Sequence, residues 1–213
     1  VLSEGVEVSR FYHCMNQTAK KTADQNIDSW ERFFQRTKLM FENGLDVTEA
    51  CGRICDIMLT RDERMRRLIK QNFTPRDYFE IHSRMIGTGL IGGKACGMLL
   101  ARKIIENSCP ELFQRIEPHD SFYIGSDVFY SYIVDNEFWD LKIRQRTDEG
   151  YFALAGEFEK EIMQGSFSPQ VEEQFRKLID YYGNEPIIVR SSSILEDGFG
   201  NAFAGKYESV FCS

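Results

Sequence analysis

The first part of the chain carries apolar side chains at helical spacing. From about residue 28 to the stop signal Asn43-Gly44, aromatic side chains share one helical face: Trp30, Phe33, Phe34 and Phe41. A second helical pattern runs from about Asp46 to Gln71, and its charged positions are typical of a solvated face. Thr74-Pro75 opens a third helix that reaches about Met85. The pattern therefore predicts three helices before residue 86.

The pattern changes at Gly87, where short apolar runs alternate with helical segments. We predict helices at about 94–107, from 126, at 151–163 and at 169–182. Strands are predicted within 121–125, as a buried run at 187–190, and at 207–213. The chain is thus predicted to be mainly helical over residues 1–86 and to mix helices with strands over residues 87–213.

Composition narrows the classes of partner. The net charge of −7 over 213 residues predicts a surface that repels nucleic acid and anionic membranes, so a phosphate ligand needs a local basic pocket. No apolar run approaches the length of a membrane span. Six cysteines without a CxxC pair predict reduced, mostly buried thiols in a cytoplasmic protein. Cys51 and Cys55 are spaced for a metal pair, but they share an apolar stripe that favours core packing.

A glycine-rich segment at 87–97 has three interpretations. Glycines let backbone N–H groups approach a phosphate, and Lys94 at a helix start could neutralise it. A Walker A loop is excluded, because Thr88 and Ala95 stand where that motif needs glycine and a hydroxyl residue. A dinucleotide fingerprint, Gly87, Gly89 and Gly92, would make the protein an oxidoreductase, but residues 81–86 resemble a helix end rather than the required strand. A structural turn between helices remains open.

A second candidate segment spans residues 187–206. A strand delivers Arg190, three serines follow, and then come the acidic pair Glu196-Asp197 and a glycine-rich loop. The arginine fork suits phosphate oxygens, and a mobile loop could close over them. The structural alternative is an ion pair between Arg190 and one of the two carboxylates that pins a hairpin.

These motifs resemble a known family. Val189-Arg-Ser-Ser-Ser-Ile-Leu-Glu-Asp197 with Phe203-Ala-Gly205 is similar to the signature of the nucleotide-binding domain of phosphoenolpyruvate synthase and pyruvate phosphate dikinase. Gly92-Gly-Lys-Ala95 resembles the opening of that domain, and Phe122-Tyr-Ile-Gly125 stands where the family has its Pro-x-Gly-Phe-x-Ile segment. The resemblance covers about residues 88–213. It implies an α+β fold, in which residues 87–213 form the N-terminal lobe of an ATP-grasp domain and residues 1–86 form a mainly helical N-terminal extension.

The resemblance also implies roles for individual residues. Lys94 and Arg190 would contact ATP phosphates, with Arg190 acting in catalysis. The acidic pair Glu196 and Asp197 would support the arginine and the loop. Backbone contacts to the nucleotide would come from glycines: Gly92, Gly93, Gly198, Gly200 and Gly205. The histidines His13, His82 and His119 match no family motif and are predicted to be structural.

Two function classes follow. The first is an ATP-dependent phosphotransferase, in which ATP phosphorylates a histidine of another domain and the group then passes to pyruvate or a related acceptor. We then expect the chain to be part of a longer enzyme and to be inactive alone, with the Mg²⁺ ligands on a second lobe. A homodimer is one assembly that the full-length enzyme could form. The alternative is a non-catalytic nucleotide-sensing or interaction module with the same fold.

Overall fold

A computed structural model describes residues 29–118, 120–193, 196–198, 200–203, 205 and 207–212. The N-terminal part is helical: α1 (Ser29–Glu42), α2 (Thr48–Ile54), a π-helical turn (Cys55–Leu59), α3 (Glu63–Asn72) and α4 (Pro75–Ser83). The predicted continuous helix over 46–71 is wrong, because the chain is extended at Thr60 and a new helix begins after Asp62. The Asp62 carboxylate accepts hydrogen bonds from the Arg64 and Met65 N–H groups at 2.9 and 3.0 Å, which caps α3.

A short parallel pair of strands follows. β1 (Met85–Ile86) pairs with β2 (Tyr123–Ile124), and α5 (Gly93–Ser108) and α6 (Pro110–Phe113) lie between them in the chain. The prediction that the third helix reaches about Met85 is wrong by two residues, because α4 ends at Ser83 and Met85 and Ile86 have β2 as a partner. Parallel strands need a long crossover, and α5 provides it.

The next part is again helical: α7 (Ser126–Asp135), α8 (Trp139–Gln145), α9 (Gly150–Ala153), α10 (Ala155–Ile162) and α11 (Pro169–Tyr182). The helix predicted over 151–163 is divided at Leu154 into α9 and α10. The predicted start and end of α11 are confirmed. The Ser168 hydroxyl accepts from the Val171 N–H at 3.5 Å, and Gly183 ends the helix at φ +59°.

The described C-terminal residues form two antiparallel pairs. β3 (Ile187–Arg190) pairs with β6 (Ser209–Cys212), and β4 (Asp197–Gly198) pairs with β5 (Asn201–Ala202) in a small hairpin. The prediction that 187–190 is buried is wrong, since Ile188 and Val189 are each 47% exposed. Among the described strands, β6 is the only partner of β3, so apolar side chains of the pair face solvent.

One hydrophobic core joins the N-terminal helices to α5 and β2. Its members come from both sides of residue 87: Phe33, Phe34, Val47, Cys51, Ile54, Cys55, Met58, Leu59, Met65, Ile69, Tyr78, Ile81, Ile91, Cys96, Leu100 and Tyr123. A backbone hydrogen bond from the Ile91 N–H to the Met58 carbonyl, 3.0 Å long, ties the glycine-rich segment to the π-helical turn. The helical extension therefore supports the segment that leads into α5.

The buried thiols and the one described histidine are parts of this packing. Cys51, Cys55 and Cys96 are buried and unpaired, whereas Cys109 and Cys212 are exposed; Cys14 lies outside the described residues. His82 stacks on Phe34 with 4.1 Å between ring centroids, and its Nε2 lies 3.2 Å from a Glu31 carboxylate oxygen. His13 and His119 also lie outside the described residues. Within the described part of the chain, no helix has the length and apolar character needed to cross a membrane.

Candidate functional site

Lys94 lies at the centre of the candidate site. It is the second residue of α5, and its ammonium contacts the segment that follows β3. Lys94 Nζ donates to the Ser191 carbonyl at 3.0 Å, and it lies 3.3 Å from Glu196 Oε2 and 3.4 Å from Asp197 Oδ2. The structure thus brings the two sequence motifs, the glycine-lysine helix start and the acidic pair, into direct contact.

Glu196 is the most enclosed charged group of the site. Its side chain is 9% exposed, and Oε2 accepts a hydrogen bond from the Ser191 hydroxyl at 2.7 Å. That hydrogen bond, followed by the interaction with Lys94, lowers the pKa of Glu196 below its usual 4.5, although burial opposes the shift. Glu196 is therefore held as a carboxylate, and it compensates the charge of Lys94.

Ser192 and Asp197, in the segment that follows β3, lie very close to the first turn of α5. The Gly93 N–H donates to the Ser192 carbonyl at 3.0 Å, and the Ala95 N–H donates to the Ser192 hydroxyl at 2.9 Å. Gly92 has φ +85°, and a side chain there would overlap the Ser192 carbonyl. A side chain at Gly93 would overlap the Asp197 carbonyl. These two glycines therefore let the segment pack against α5. Ser192 accepts hydrogen bonds from two N–H groups of the first turn, those of Gly93 and Ala95.

Arg190 is the last residue of β3 and is exposed. Among the described residues, the carboxylates of the acidic pair face Lys94 at ion-pair distance, whereas Arg190 acts on Glu196 as a more distant charge that helps to lower its pKa. The contact expected between Arg190 and the acidic pair is thus replaced by one from Lys94, because the docking of Ser192 sets the pair over the start of α5. Gly198, Gly200 and Gly205 lie on or beyond the β4–β5 hairpin.

The glycine-rich segment before α5 has a separate internal partner, Asp127. The Asp127 carboxylate accepts from the Gly89 N–H at 2.7 Å and from the Thr88 N–H at 3.1 Å. A strand does precede Gly87, so that objection to a dinucleotide site was wrong. A carboxylate nevertheless fills the position of an anion on these N–H groups, and α5 begins only at Gly93. This arrangement favours the structural interpretation of residues 87–89.

A resident metal does not fit the described part of the chain. No group of three or more His, Cys, Asp or Glu side chains there is placed to hold an ion. The two carboxylates of the site face the Lys94 ammonium, and Asp197 Oδ2 is a buried atom without a hydrogen bond in the described structure. The described residues therefore supply charge compensation and backbone docking, and no step can be assigned to a metal.

Comparison with known families identifies the family of this chain. The pyruvate phosphate dikinase AMP/ATP-binding domain family matches residues 88–213, which is more than half of the chain and includes Lys94 and the acidic pair. The chain belongs to this family and carries its AMP/ATP-binding domain. Comparisons with curated proteins and with solved structures gave no match. The family resemblance expected from Val189–Asp197 and Gly92–Ala95 is confirmed.

Proposed function

We propose that this chain binds ATP through Lys94 and Arg190, as the N-terminal lobe of an ATP-grasp domain in a dikinase-type phosphotransferase. The observation that supports this proposal is the position of Lys94. Its ammonium lies at the start of a 16-residue helix and is shared among three oxygens, one each from Ser191, Glu196 and Asp197. A helix N-terminus and an ammonium both favour an anion at the same place.

The contacts of Lys94 suggest how phosphate would enter. The Lys94 side chain is 25% exposed, so one side of it remains open to solvent. A phosphate can compete for the ammonium, because its oxygens replace the longer contacts at 3.3 and 3.4 Å with a charge-assisted hydrogen bond. In the absence of ATP, the carboxylates of Glu196 and Asp197 balance the positive charge of Lys94.

Arg190 would provide the second phosphate contact. It ends β3 beside the serine run, and its exposed guanidinium is accessible to a ligand. Its charge already reaches the Glu196 carboxylate. Gly92 and Gly93 would line the site from the helix side, and Gly198, Gly200 and Gly205 would line it from the loop side. Arginine keeps its charge and its fork geometry in such a place.

The reaction belongs to the same proposal. In a dikinase-type enzyme the phosphoryl group of ATP passes to a histidine of another domain and then to pyruvate or a related acceptor. The residues proposed here would position the phosphates and neutralise charge that develops on them, which is most of what phosphoryl transfer requires from a protein. Mg²⁺ supplies further charge neutralisation to ATP, and we assign none of the described side chains to it.

The proposal is tested by titrating ATP with Mg²⁺ into the protein and into Arg190→Ala and Lys94→Ala variants. Each substitution removes one charge-assisted contact, worth about 1.5–3 kcal/mol, so each should weaken ATP binding by about 10- to 100-fold. Isothermal titration calorimetry gives the dissociation constants, and thermal melting confirms that each variant is folded.

Matched controls come from exposed ion pairs of α11. Arg176 pairs with Glu172 at 2.6 Å and Lys177 pairs with Glu173 at 3.4 Å. Arg176→Ala and Lys177→Ala remove the same charges away from the site and should leave ATP binding unchanged. Equal ATP affinity in the protein, Arg190→Ala and Lys94→Ala would contradict the proposed site.

A further inference from the structure

Arg64 reaches the candidate site from outside the family domain. It lies in the first turn of α3, well before residue 88, and its side chain is 62% exposed. A Cβ built on Gly200 would lie 3.8 Å from Arg64 Nη1 and 4.0 Å from Nη2. Gly200 lies in the turn of the β4–β5 hairpin, within the loop proposed above to cover the phosphates. A cation of the helical extension is thus in contact range of that loop.

The helix that carries Arg64 packs on the same core as the helix that carries Lys94. Asp62 caps the Arg64 N–H, and its other carboxylate oxygen lies 3.6 Å from Arg64 Nη2. The next residue, Met65, is buried in the shared core. α3 packs against α5, and the Asn107 side chain donates to the Asn72 carbonyl at 2.9 Å where both helices end. Arg64 and Lys94 therefore belong to two packed helices, not to separate mobile segments.

The hairpin between the two cations sets their spacing. Lys94 contacts Asp197 at the base of the hairpin, and Arg64 lies at its turn beside Gly200. A fully extended chain spans at most about 3.6 Å per residue, so the three steps from Asp197 to Gly200 span at most about 11 Å. A polyphosphate chain lying along the hairpin could meet both cations. In a chain with a net charge of −7, a phosphate site needs such a local group of positive side chains.

We propose that Arg64 is a phosphate-binding residue of the nucleotide site, supplied by the helical extension. This inference rests on the proposed function. Arg64 would hold the polyphosphate at the turn of the hairpin, while Lys94 holds it at the base. The guanidinium fork suits this task, because it can give two hydrogen bonds to one phosphate and keep its charge next to Asp62.

The test compares Arg64→Ala, Arg64→Lys and Arg67→Ala in the full chain, with ATP and Mg²⁺ as the probe. Arg67 is exposed on the same helix, one turn further along, so its substitution removes the same charge at a greater distance from the hairpin. Arg64→Ala should weaken ATP binding by about tenfold, whereas Arg67→Ala should leave it unchanged. Thermal melting of each variant checks the fold.

A second measurement separates phosphate binding from a structural role. The dissociation constant is measured over a series of ionic strengths, because salt screens the attraction between a cation and a phosphate. Arg64→Ala should flatten this dependence and Arg64→Lys should restore most of it. A loss of affinity with an unchanged salt dependence would show that Arg64 only supports the loop, and equal affinities in Arg64→Ala and Arg67→Ala would overturn the proposal. If Lys94→Ala and Arg190→Ala still weaken binding in that case, only the role of Arg64 fails; if they do not, the proposed site fails as well.

Discussion

Lys94 Nζ and Glu196 Oε2 lie 3.3 Å apart, although Lys94 is in the first turn of α5 and Glu196 follows β3. The Ser191 hydroxyl donates to the same Glu196 oxygen at 2.7 Å, so this oxygen is shared between a neutral and a charged donor. The contacts of Lys94 with Glu196 and Asp197 make these three side chains one charged cluster. Because Glu196 titrates, the contribution of its contact with Lys94 to the stability of the fold can be measured as a function of pH.

Replacing Glu196 by glutamine should remove a pH-dependent part of the stability. The folded protein lowers the pKa of Glu196 from 4.5, so its carboxylate stabilises the fold above about pH 4.5 and loses that effect as the pH falls through the lowered folded value. The melting temperature of the parent protein should therefore exceed that of Glu196→Gln at pH 6 to 7, and the gap should close on acidification. Other carboxylates with lowered pKa values, such as Glu31 and Asp62, titrate in both proteins and cancel in the difference.

Glu173→Gln is the matched control for this experiment. Glu173 pairs with Lys177 in an exposed i,i+4 contact, a type of pair that contributes little. Its melting temperature should follow the parent protein at each pH. A gap between the parent and Glu196→Gln that stays constant from pH 7 to pH 3 would contradict the assigned ionisation.

Gly93→Ala and Gly97→Ala should change stability in opposite directions. A side chain at Gly93 meets the Asp197 carbonyl, so β4 must move away from α5, at a cost of about 1–3 kcal/mol. Gly97 lies on the same helix with open space around its Cβ position, and alanine there should stabilise the helix by about 0.5–1 kcal/mol. Urea unfolding of both variants measures the two effects. A Gly93→Ala protein as stable as Gly97→Ala would show that the segment does not dock as described.

Asp127→Ala should destabilise the turn at residues 87–89. It leaves the Gly89 and Thr88 N–H groups without their carboxylate, which costs about 1–3 kcal/mol if no other acceptor replaces it. Asp135→Ala, an exposed position at the end of the same helix, should change the free energy of unfolding by less than about 0.5 kcal/mol.

The parent protein should also give no NADH fluorescence change on titration, since Asp127 occupies the N–H groups that a pyrophosphate would need.

Thiol labelling should divide the described cysteines into two groups. Burial raises the pKa of Cys96 to about 12 and those of Cys51 and Cys55 to about 11, so these thiols are both shielded and protonated at pH 8. Cys109 and Cys212 are exposed and should react first with a maleimide. Peptide mapping by mass spectrometry locates the label. Labelling of Cys96 as fast as Cys109 under native conditions would contradict the core described here.

Local signals explain which elements could be predicted from sequence. Thr74-Pro75 and Ser168-Pro169 place proline at the first helical position, and α4 and α11 begin there. The break at Thr60–Asp62 was missed because apolar spacing continues across it, although Asp62 is a strong capping residue. The β4–β5 hairpin has two-residue strands, which are too short to show an alternation of apolar and polar residues in the sequence.

The candidate site shows the same limit. Its residue types and family could be predicted, since lysine after glycines and an acidic pair after serines are visible in one dimension. The contact of Lys94 with the acidic pair could not be predicted, because it depends on the hydrogen bonds by which Ser192, far along the chain, docks on α5. The role of Arg64 was also out of reach, since it lies outside the family motifs and approaches Gly200 only through the packing of α3 on α5.

The shared core has a consequence for how this protein can change over evolution. A chain cut at residue 88 would keep every family motif, but Ile91, Leu100 and Tyr123 would lose the helices that cover them, and β2 would lose its partner strand. The unit recognised by its sequence is thus smaller than the unit that folds. Recombination at residue 88 would therefore separate the two parts of one hydrophobic core and expose apolar side chains that are now buried.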